Sequence, residues 1–507
     1  MPKSNTAPEW SVIRGGRLVE PKQPRPRAAD LLLKGDTIHE IGAPGMTVPA
    51  GAHVIEAAGM LLHPGLVNAH THGHGNLARG MGDRWTLELL LTAGPWISGN
   101  RSADDKRLTT LIGAAEMLLK GCTACYDLTF EFPCPTVDGL QAAAEAYTQA
   151  GMRAVLAPMV ADLSFFEAIP GLMEALPPAL QHEVGRMRMA PGDVTLQAMR
   201  DAVRGWQCDR DQVRLAIAPT IPHHCTDAFM TGCRDLAREH GLALHSHVSE
   251  SKVQAIAGMR KYGTTLVAHL DKLGLIGPDF TVAHGVWLDD DDMRRLGDKG
   301  ASVAHNPGSN MRLGSGLARM RRMLECGVNV GIGTDGSNCS DNQNMYEAMR
   351  LASMVSKVQG PDWQNWITTD EVLHAATVGS AQALGFRDGL GRIAPGYKAD
   401  VVFLETRHIN LIPLNNITNS LVHVEDGGAV HSVMVGGRMV VQDRKLLYVD
   451  LDRLAREAQA AVERLERLNH GNRELYARLE PVVGSFCPGL AAEPFHVHRY
   501  GGCQHCQ

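Results

Sequence analysis

The 507-residue sequence contains no stretch that approaches the ~18 consecutive apolar residues a membrane-crossing helix needs. It also lacks an excess of basic charge. Against 55 Asp and Glu stand 49 Lys and Arg, giving a formal charge of -6 and a pI near 6.4, whereas a nucleic-acid-binding chain usually carries a basic face. The opening residues, "MPKSNTAPEWSVIRGG", have no apolar core of the kind a secretory signal requires. Most of the eleven cysteines are singletons inside apolar segments, such as Cys208, Cys233 and Cys326, the pattern of reduced thiols in a cytoplasm. Cys122 and Cys125 have the spacing of a redox pair but interrupt an apolar run, which marks them as core thiols. What the chain does have is ordinary globular material, 44% hydrophobic and 21% charged. Its length suits two to three units.

From about residue 61, short apolar runs alternate with amphipathic stretches. The runs are 62–69, 122–128, 153–161, 213–220, 242–248, 280–286, 301–305 and 328–334. Helical spacing occupies 104–119, 136–150, 196–206, 227–240, 290–298 and 343–358, and Ser102 and Thr226 stand where helix caps belong. Strands alternating with helices predict a parallel sheet. Eight such units over roughly 320 residues match a closed (β/α)8 TIM-like barrel, which typically takes about 250 residues plus insertions. An open doubly wound sheet is the alternative, and its site would lie at a switch point.

The two ends differ in style. Residues 8–60 and 391–448 alternate apolar and polar positions between Gly and Pro, and both read as antiparallel hairpins. Neither half has enough strands to stand alone, so the two are expected to pair into one small β-sandwich with the barrel inserted between them. The predicted division is therefore β-sandwich over 1–60 and 389–450, barrel over 61–388, and a charged helix with a tail over 451–507. Residues 451–480 predict an amphipathic helix or helix pair packed on the body or on a second subunit. The tail carries His496, His498, Cys503, His505 and Cys506 in a spacing that matches no structural zinc module. It is read as a surface segment.

Four of the apolar runs end in metal-competent side chains. His70 and His72 close the first and lie two apart, so on a strand they share a face. His247 closes the fifth run, in "LHSHVSES", His284 the sixth, in "TVAHGVW", and Asp335 the eighth, in "VGIGTDGS". Barrel active sites form at that carboxyl edge. Histidines and a carboxylate converging there suit a borderline cation such as zinc. A metal with an open position activates water near neutral pH, which points to hydrolysis.

The ordered stretches "HPGLVNAHTH", "LARGMGD", "LHSHVSES", "TVAHGVWLDDDD", "VAHNPGSNMRLGSG", "GIGTDGSNCSDNQNM" and "LGRIAPGYKADVVFLE" resemble the amidohydrolase superfamily over about residues 10–450. The branch they resemble holds S-adenosylhomocysteine/methylthioadenosine deaminases, guanine and 8-oxoguanine deaminases, and triazine hydrolases. The resemblance implies His70, His72, His247 and Asp335 as ligands of one divalent ion, zinc or alternatively iron. The family pattern puts the ligand three residues before a glutamate, which selects His247 over His245. It implies Glu250 as proton shuttle, Asp335 as base as well as ligand, and His284 as the group that orients or polarises the substrate. The bridging lysine or glutamate of binuclear relatives has no counterpart in the fourth run, "VRLAIAPT", so one metal is expected.

Retention of Glu250 favours loss of ammonia, which must be protonated to leave. The expected activity is thus hydrolytic deamination of an amino-substituted N-heterocycle of purine, pterin or triazine type. The alternative is dehalogenation or N-dealkylation of a triazine, or hydrolysis of a urea-type C–N bond, at the same centre. Substrate contacts are expected from Asn76, Arg79, Trp85, His223, His224 and His305. Cys339 departs from the family's commoner sequence beside the metal aspartate, while Asn338 and Ser340 suit a turn. A homodimer or dimer-based tetramer is expected, in the cytoplasm, without nucleic-acid or membrane partners.

Overall fold

In a computed structural model, which describes residues 7–501, the two ends of the chain meet along one seam. The strand Met60–Pro64 runs antiparallel to Val401–Glu405, with His63 opposite Val402 and Leu61 opposite Leu404. Around this seam one nine-stranded sheet forms from both ends of the chain. Trp10–Leu18, Arg27–Lys34, Thr37–Gly42, His53–Glu56 and Met60–Pro64 come from the first, and Val401–Glu405, Val430–Val435, Arg438–Gln442 and Lys445–Leu446 from the second. Ile13, Leu31, Leu33, Leu62, Val401 and Phe403 bury into a core of its own. The hairpin reading needs one correction, because Trp10–Leu18 also pairs in parallel with His53–Glu56 and Met60–Pro64.

Between the ends lie two parallel sheets. The first holds β1 (Leu66–Thr71), β2 (Cys122–Phe130), β3 (Arg153–Val160) and β4, which is split into Val213–Leu215 and Ala218–Pro219. The second holds β5 (Leu244–Val248), β6 (Phe280–His284), β7 (Ser302–His305) and β8 (Asn329–Ile332). β1 and β5 to β7 are buried at every position, as expected of parallel strands covered on both faces. Backbone hydrogen bonds cross both gaps between the sheets. His245 N donates to Ile217 O at 3.0 Å on one side, and Asp335 N donates to His70 O at 2.9 Å on the other. No helix among the described residues is long and apolar enough to cross a membrane.

The helix expected over 196–206 runs instead over Gly192–Arg204, because Pro191 supplies an N-cap position before its first turn. The charged C-terminal stretch is a pair of helices, Leu451–Leu468 and His470–Ala491. The second continues past the expected end through Pro481 and Pro488. A proline inside a helix costs about 3 kcal/mol. Here Tyr476, Leu479, Val483, Cys487 and Leu490 recur at helical spacing and are buried. Burying each large apolar side chain contributes roughly 1.5–3 kcal/mol, so the apolar stripe outweighs the prolines. This helix packs on Leu87–Ser98, with Trp85 and Trp96 against Tyr476.

Candidate metal centre

Six polar side chains converge at the carboxyl ends of these strands. His70 lies in β1 and His72 just beyond it, His247 in β5 and Glu250 two residues past its end. His284 is the last residue of β6, and Asp335 lies three residues past β8. Ser249, His284 and Asp335 have φ of 54°, 71° and 62°. Left-handed backbone at a serine, a histidine and an aspartate is costly, and such strain clusters at functional sites.

The hydrogen bonds decide which ring atoms are free. His72 Nδ1 lies 2.8 Å from Leu128 O and His247 Nδ1 lies 2.8 Å from Thr220 O. A carbonyl only accepts, so each Nδ1 carries the proton. In the neutral rings both Nε2 atoms then present lone pairs, yet they face each other at 3.3 Å. A proton or a cation must lie between them. Asp335 Oδ1 is 3.1 Å from His72 Nε2 and 3.5 Å from His70 Nε2, and neither ring nitrogen of His70 has a hydrogen-bond partner. Within His70–His72–Asp335 the ligand atoms lie within 4.8 Å of one another, and the same holds for His70–His247–His284 and Glu250–His284–Asp335. Buried lone pairs without donors, aimed at one carboxylate, fit a divalent cation of the zinc type.

Charge states follow from the same packing. Burial pushes His70 down to about 3, and it drives His247 well below the ordinary imidazole value with help from His70 and His72. Burial also opposes charge on His72, but the Asp335 carboxylate overrides it and lifts His72 above its ordinary value. Asp335, although buried, is held well below the carboxylate range by its bonds to His70 and His72. Its backbone carbonyl accepts from Thr71 Oγ1 at 3.1 Å and Gln343 Nε2 at 2.9 Å, so the aspartate is fixed from both sides. Glu250 is the opposite case. Burial first, then the charges of Asp335 and Glu88, raise its carboxyl well above the ordinary value, which favours its protonated form. His284 Nδ1 bonds Asn310 Oδ1 at 2.9 Å, which leaves Nε2 between Glu250 at 3.6 Å and Asp335 at 3.7 Å.

A cavity of about 570 Å³ opens onto His72, His247, Glu250, His284 and Asp335, within the usual range for small-molecule sites. Its walls are mainly apolar, with Leu90, Phe130, Phe165, Phe166 and Met189 prominent, while Arg101 and Asn472 add polar groups. Of the six residues expected to touch substrate, His224 lines this cavity. The other five have different neighbours. Asn76 donates to Gly73 O and Thr109 O and accepts from Ser337, and Arg79 pairs with Glu116 and Ser337. Trp85 packs on Trp96 and Tyr476. His223 is buried edge-on to His224, and His305 is buried on β7 without hydrogen-bond partners at its ring nitrogens.

Most of the wall escaped the sequence reading, including the polar residues His74 and, as a cavity-facing group, Asn338. His74 lines the cavity, its ring 5.3 Å from that of His72. The alternation His70-x-His72-x-His74 contained the signal. Asn338 faces the cavity as well, whereas Ser340 ties the turn through Gly336 O and Asn342 O. Cys339 is buried in the wall with its thiol on Gly336 O at 3.2 Å. His245 sits against Tyr126 at 4.4 Å and His70 at 5.0 Å between ring centroids. Cys122 and Cys125 are free buried thiols, and burial pushes Cys122 up to about 12. Of the tail, His496 bonds Asp289 at 2.8 Å, and Cys503, His505 and Cys506 lie outside the described residues.

Comparison with known proteins places these features in context. The model of the amidohydrolase family matches residues 61–440. The 5'-deoxyadenosine deaminase of Methanosarcina mazei is 32% identical over 437 residues, covering 86% of this chain and 93% of the relative. The 5-methylthioadenosine/S-adenosylhomocysteine deaminase of Thermococcus onnurineus is 33% identical, covering 86% and 95%. Among solved structures, a zinc-bound adenosine deaminase from Xanthomonas campestris superposes with a TM-score of 0.79 at 26% identity, over 90% of this chain and 98% of its own. A zinc-complexed atrazine chlorohydrolase from Arthrobacter aurescens gives 0.79 at 26%, over 89% and 99%.

Proposed function

The chain belongs to the amidohydrolase family, and from that premise we propose that it is a cytoplasmic, metal-dependent aminohydrolase that removes an amino group from an N-heterocycle as ammonia. The purine nucleosides named for its relatives are the first substrates to consider. The two parallel sheets are read as one closed eight-stranded barrel, in keeping with the hydrogen bonds across both gaps, and the nine-stranded sheet as the small β-sandwich. The observation that carries the reading is the opposed pair of Nε2 atoms, 3.3 Å apart on His72 and His247 beside Asp335.

His70, His72, His247 and Asp335 would hold one divalent ion, zinc by preference. Neither piece of β4 contains a lysine or glutamate to bridge a second. Such an ion supplies water activation and charge stabilisation. The chain's own groups do the rest. Asp335, held ionised, takes the proton of the attacking water. Glu250 gives its proton to the ring nitrogen beside the carbon under attack. Asp335 then passes the water's proton to the amino group, which leaves as ammonia, while the new hydroxyl returns a proton to Glu250 as the C=O forms. His284 Nε2, 3.6 Å from Glu250 and 3.7 Å from Asp335, orients the group between them. The apolar wall excludes water from the heterocycle's faces. A homodimer or dimer-based tetramer would follow the usual symmetry of soluble enzymes.

Release of ammonia from 5'-deoxyadenosine, methylthioadenosine, S-adenosylhomocysteine, aminopterins and amino-triazines tests the reading. Turnover of at least one with stoichiometric ammonia is expected. Chloride release from a chlorotriazine without ammonia from any amino-heterocycle would move the assignment to the halide-displacing alternative.

A further inference from the structure

We propose that Arg499, in the segment after the last helix, is a positioning residue that holds Glu250 and His284 in register from outside the cavity. This rests on the reading above of those two as catalytic. The backbone that carries them is strained in two places. His284 and Gly285 are consecutive left-handed residues at φ of 71° and 57°, and Ser249, just before Glu250, has φ of 54°. Strained positions persist only where their surroundings over-determine them. Trp287 N donates to Ser249 O at 2.8 Å, so the loop after β6 and the turn before Glu250 are one coupled unit.

The C-terminal segment grips that unit. Arg499 is 6% exposed. Its Nε donates to Val286 O at 2.9 Å, Nη2 to Leu288 O, and Nη1 to His498 O at 3.0 Å. Two of those carbonyls flank Trp287. The Trp287 indole, buried and bonded to Ser315 O at 2.8 Å, meets Phe495 and Tyr500 edge-on at 6.1 and 5.1 Å. Arg499 O accepts from Leu317 N at 2.7 Å, and a Cβ at Gly316 would come within 2.9 Å of the same oxygen, so the receiving loop is shaped for the segment that crosses it. His496 bonds Asp289 at 2.8 Å and Arg260 pairs with Glu493, fixing both sides. Among the described residues Arg499 forms no ion pair. A buried guanidinium spent on carbonyls uses its planar fork of donors as a brace. The brace lies outside the family match, which ends at residue 440.

The test compares full-length, metal-loaded Arg499→Ala and Arg499→Lys with the parent, using 5'-deoxyadenosine as substrate and hydrogen exchange across 246–250 and 284–289. With Arg499→Ala still folded and still metal-loaded, kcat should fall roughly 10- to 100-fold, the scale of a small misplacement of reacting groups, with KM within about threefold. Both segments should exchange faster, and Arg499→Lys should lie between. Unchanged kcat, or a loss without faster exchange in 284–289, overturns the proposal. If Arg499→Ala fails to fold, Arg499→Lys and Phe495→Ala carry the same readouts. If the parent does not turn over 5'-deoxyadenosine, that substrate is excluded, and exchange in the two segments alone decides whether Arg499 braces them.

Discussion

Glu250 and Asp335 are both buried carboxyls, yet their surroundings push them in opposite directions, Glu250 well above and Asp335 well below the ordinary range. That split matches the acid and base roles proposed for them. Glu250→Gln should therefore keep its metal and lose deamination by roughly 10²–10⁴-fold, the usual contribution of a positioned proton donor. A substrate that departs as chloride should suffer much less, and equal small losses on both would remove Glu250 from proton transfer. Other buried residues set acid stability. Burial holds His63 near 4, His224 near 3 and His305 near 4. Their depressed values leave them neutral in the fold and charged on unfolding, so stability is full above about pH 6.5 and falls as pH drops through 6.5 towards 4 for His63 and His305 and towards 3 for His224. Each contributes a slope of roughly 1.4 kcal/mol per pH unit in that window. His63→Gln should flatten the acid limb of a denaturation series by about one proton, and an unchanged slope would contradict its neutral state. Where chemistry dictates type and spacing, as for His70, His72 and His247, the residues singled out from sequence lie together in the structure. Sequence reading failed for His74 and for most of the cavity wall, because which side chain faces a cavity depends on loops with no periodicity.

The strands were legible because parallel strands buried on both faces are continuous apolar runs, and each of the eight predicted runs overlaps one, with β1 and β2 continuing past the ends of theirs. Helix Leu87–Ser98, which forms part of the cavity wall, was not singled out. Its apolar residues run nearly all round, since the C-terminal helix covers its outer side. The length of that covering helix was equally hidden, because Pro481 reads as a stop until the buried stripe beyond it is seen. At the level of elements the residue just past β8 passes close to β1 and to the turn after β7. A Cβ on Gly333 would lie 2.3 Å from Asn306 Oδ1, 2.8 Å from His70 O and 2.9 Å from His70 Cβ. Gly333→Ala should push His70 aside and lower metal occupancy at least tenfold while the protein still unfolds cooperatively. Full occupancy in a folded Gly333→Ala protein would show that the strand crossing does not set the site.

At the scale of the molecule, the carboxyl ends of the parallel sheets, helix Leu87–Ser98 and, through Asn472, the second C-terminal helix line one cavity. The residues proposed for chemistry come from the ends of β1, β5, β6 and β8 of one chain, so no subunit need lend another a ligand. The central claim is that His70, His72, His247 and Asp335 hold one divalent ion on which turnover depends. Elemental analysis of the parent, His247→Ala and His245→Ala, each with its ammonia release, tests it most directly. About one ion per chain is expected in the parent and in His245→Ala, and neither ion nor turnover in His247→Ala. Two ions per chain in the parent, or loss of metal from His245→Ala with retention in His247→Ala, would contradict it.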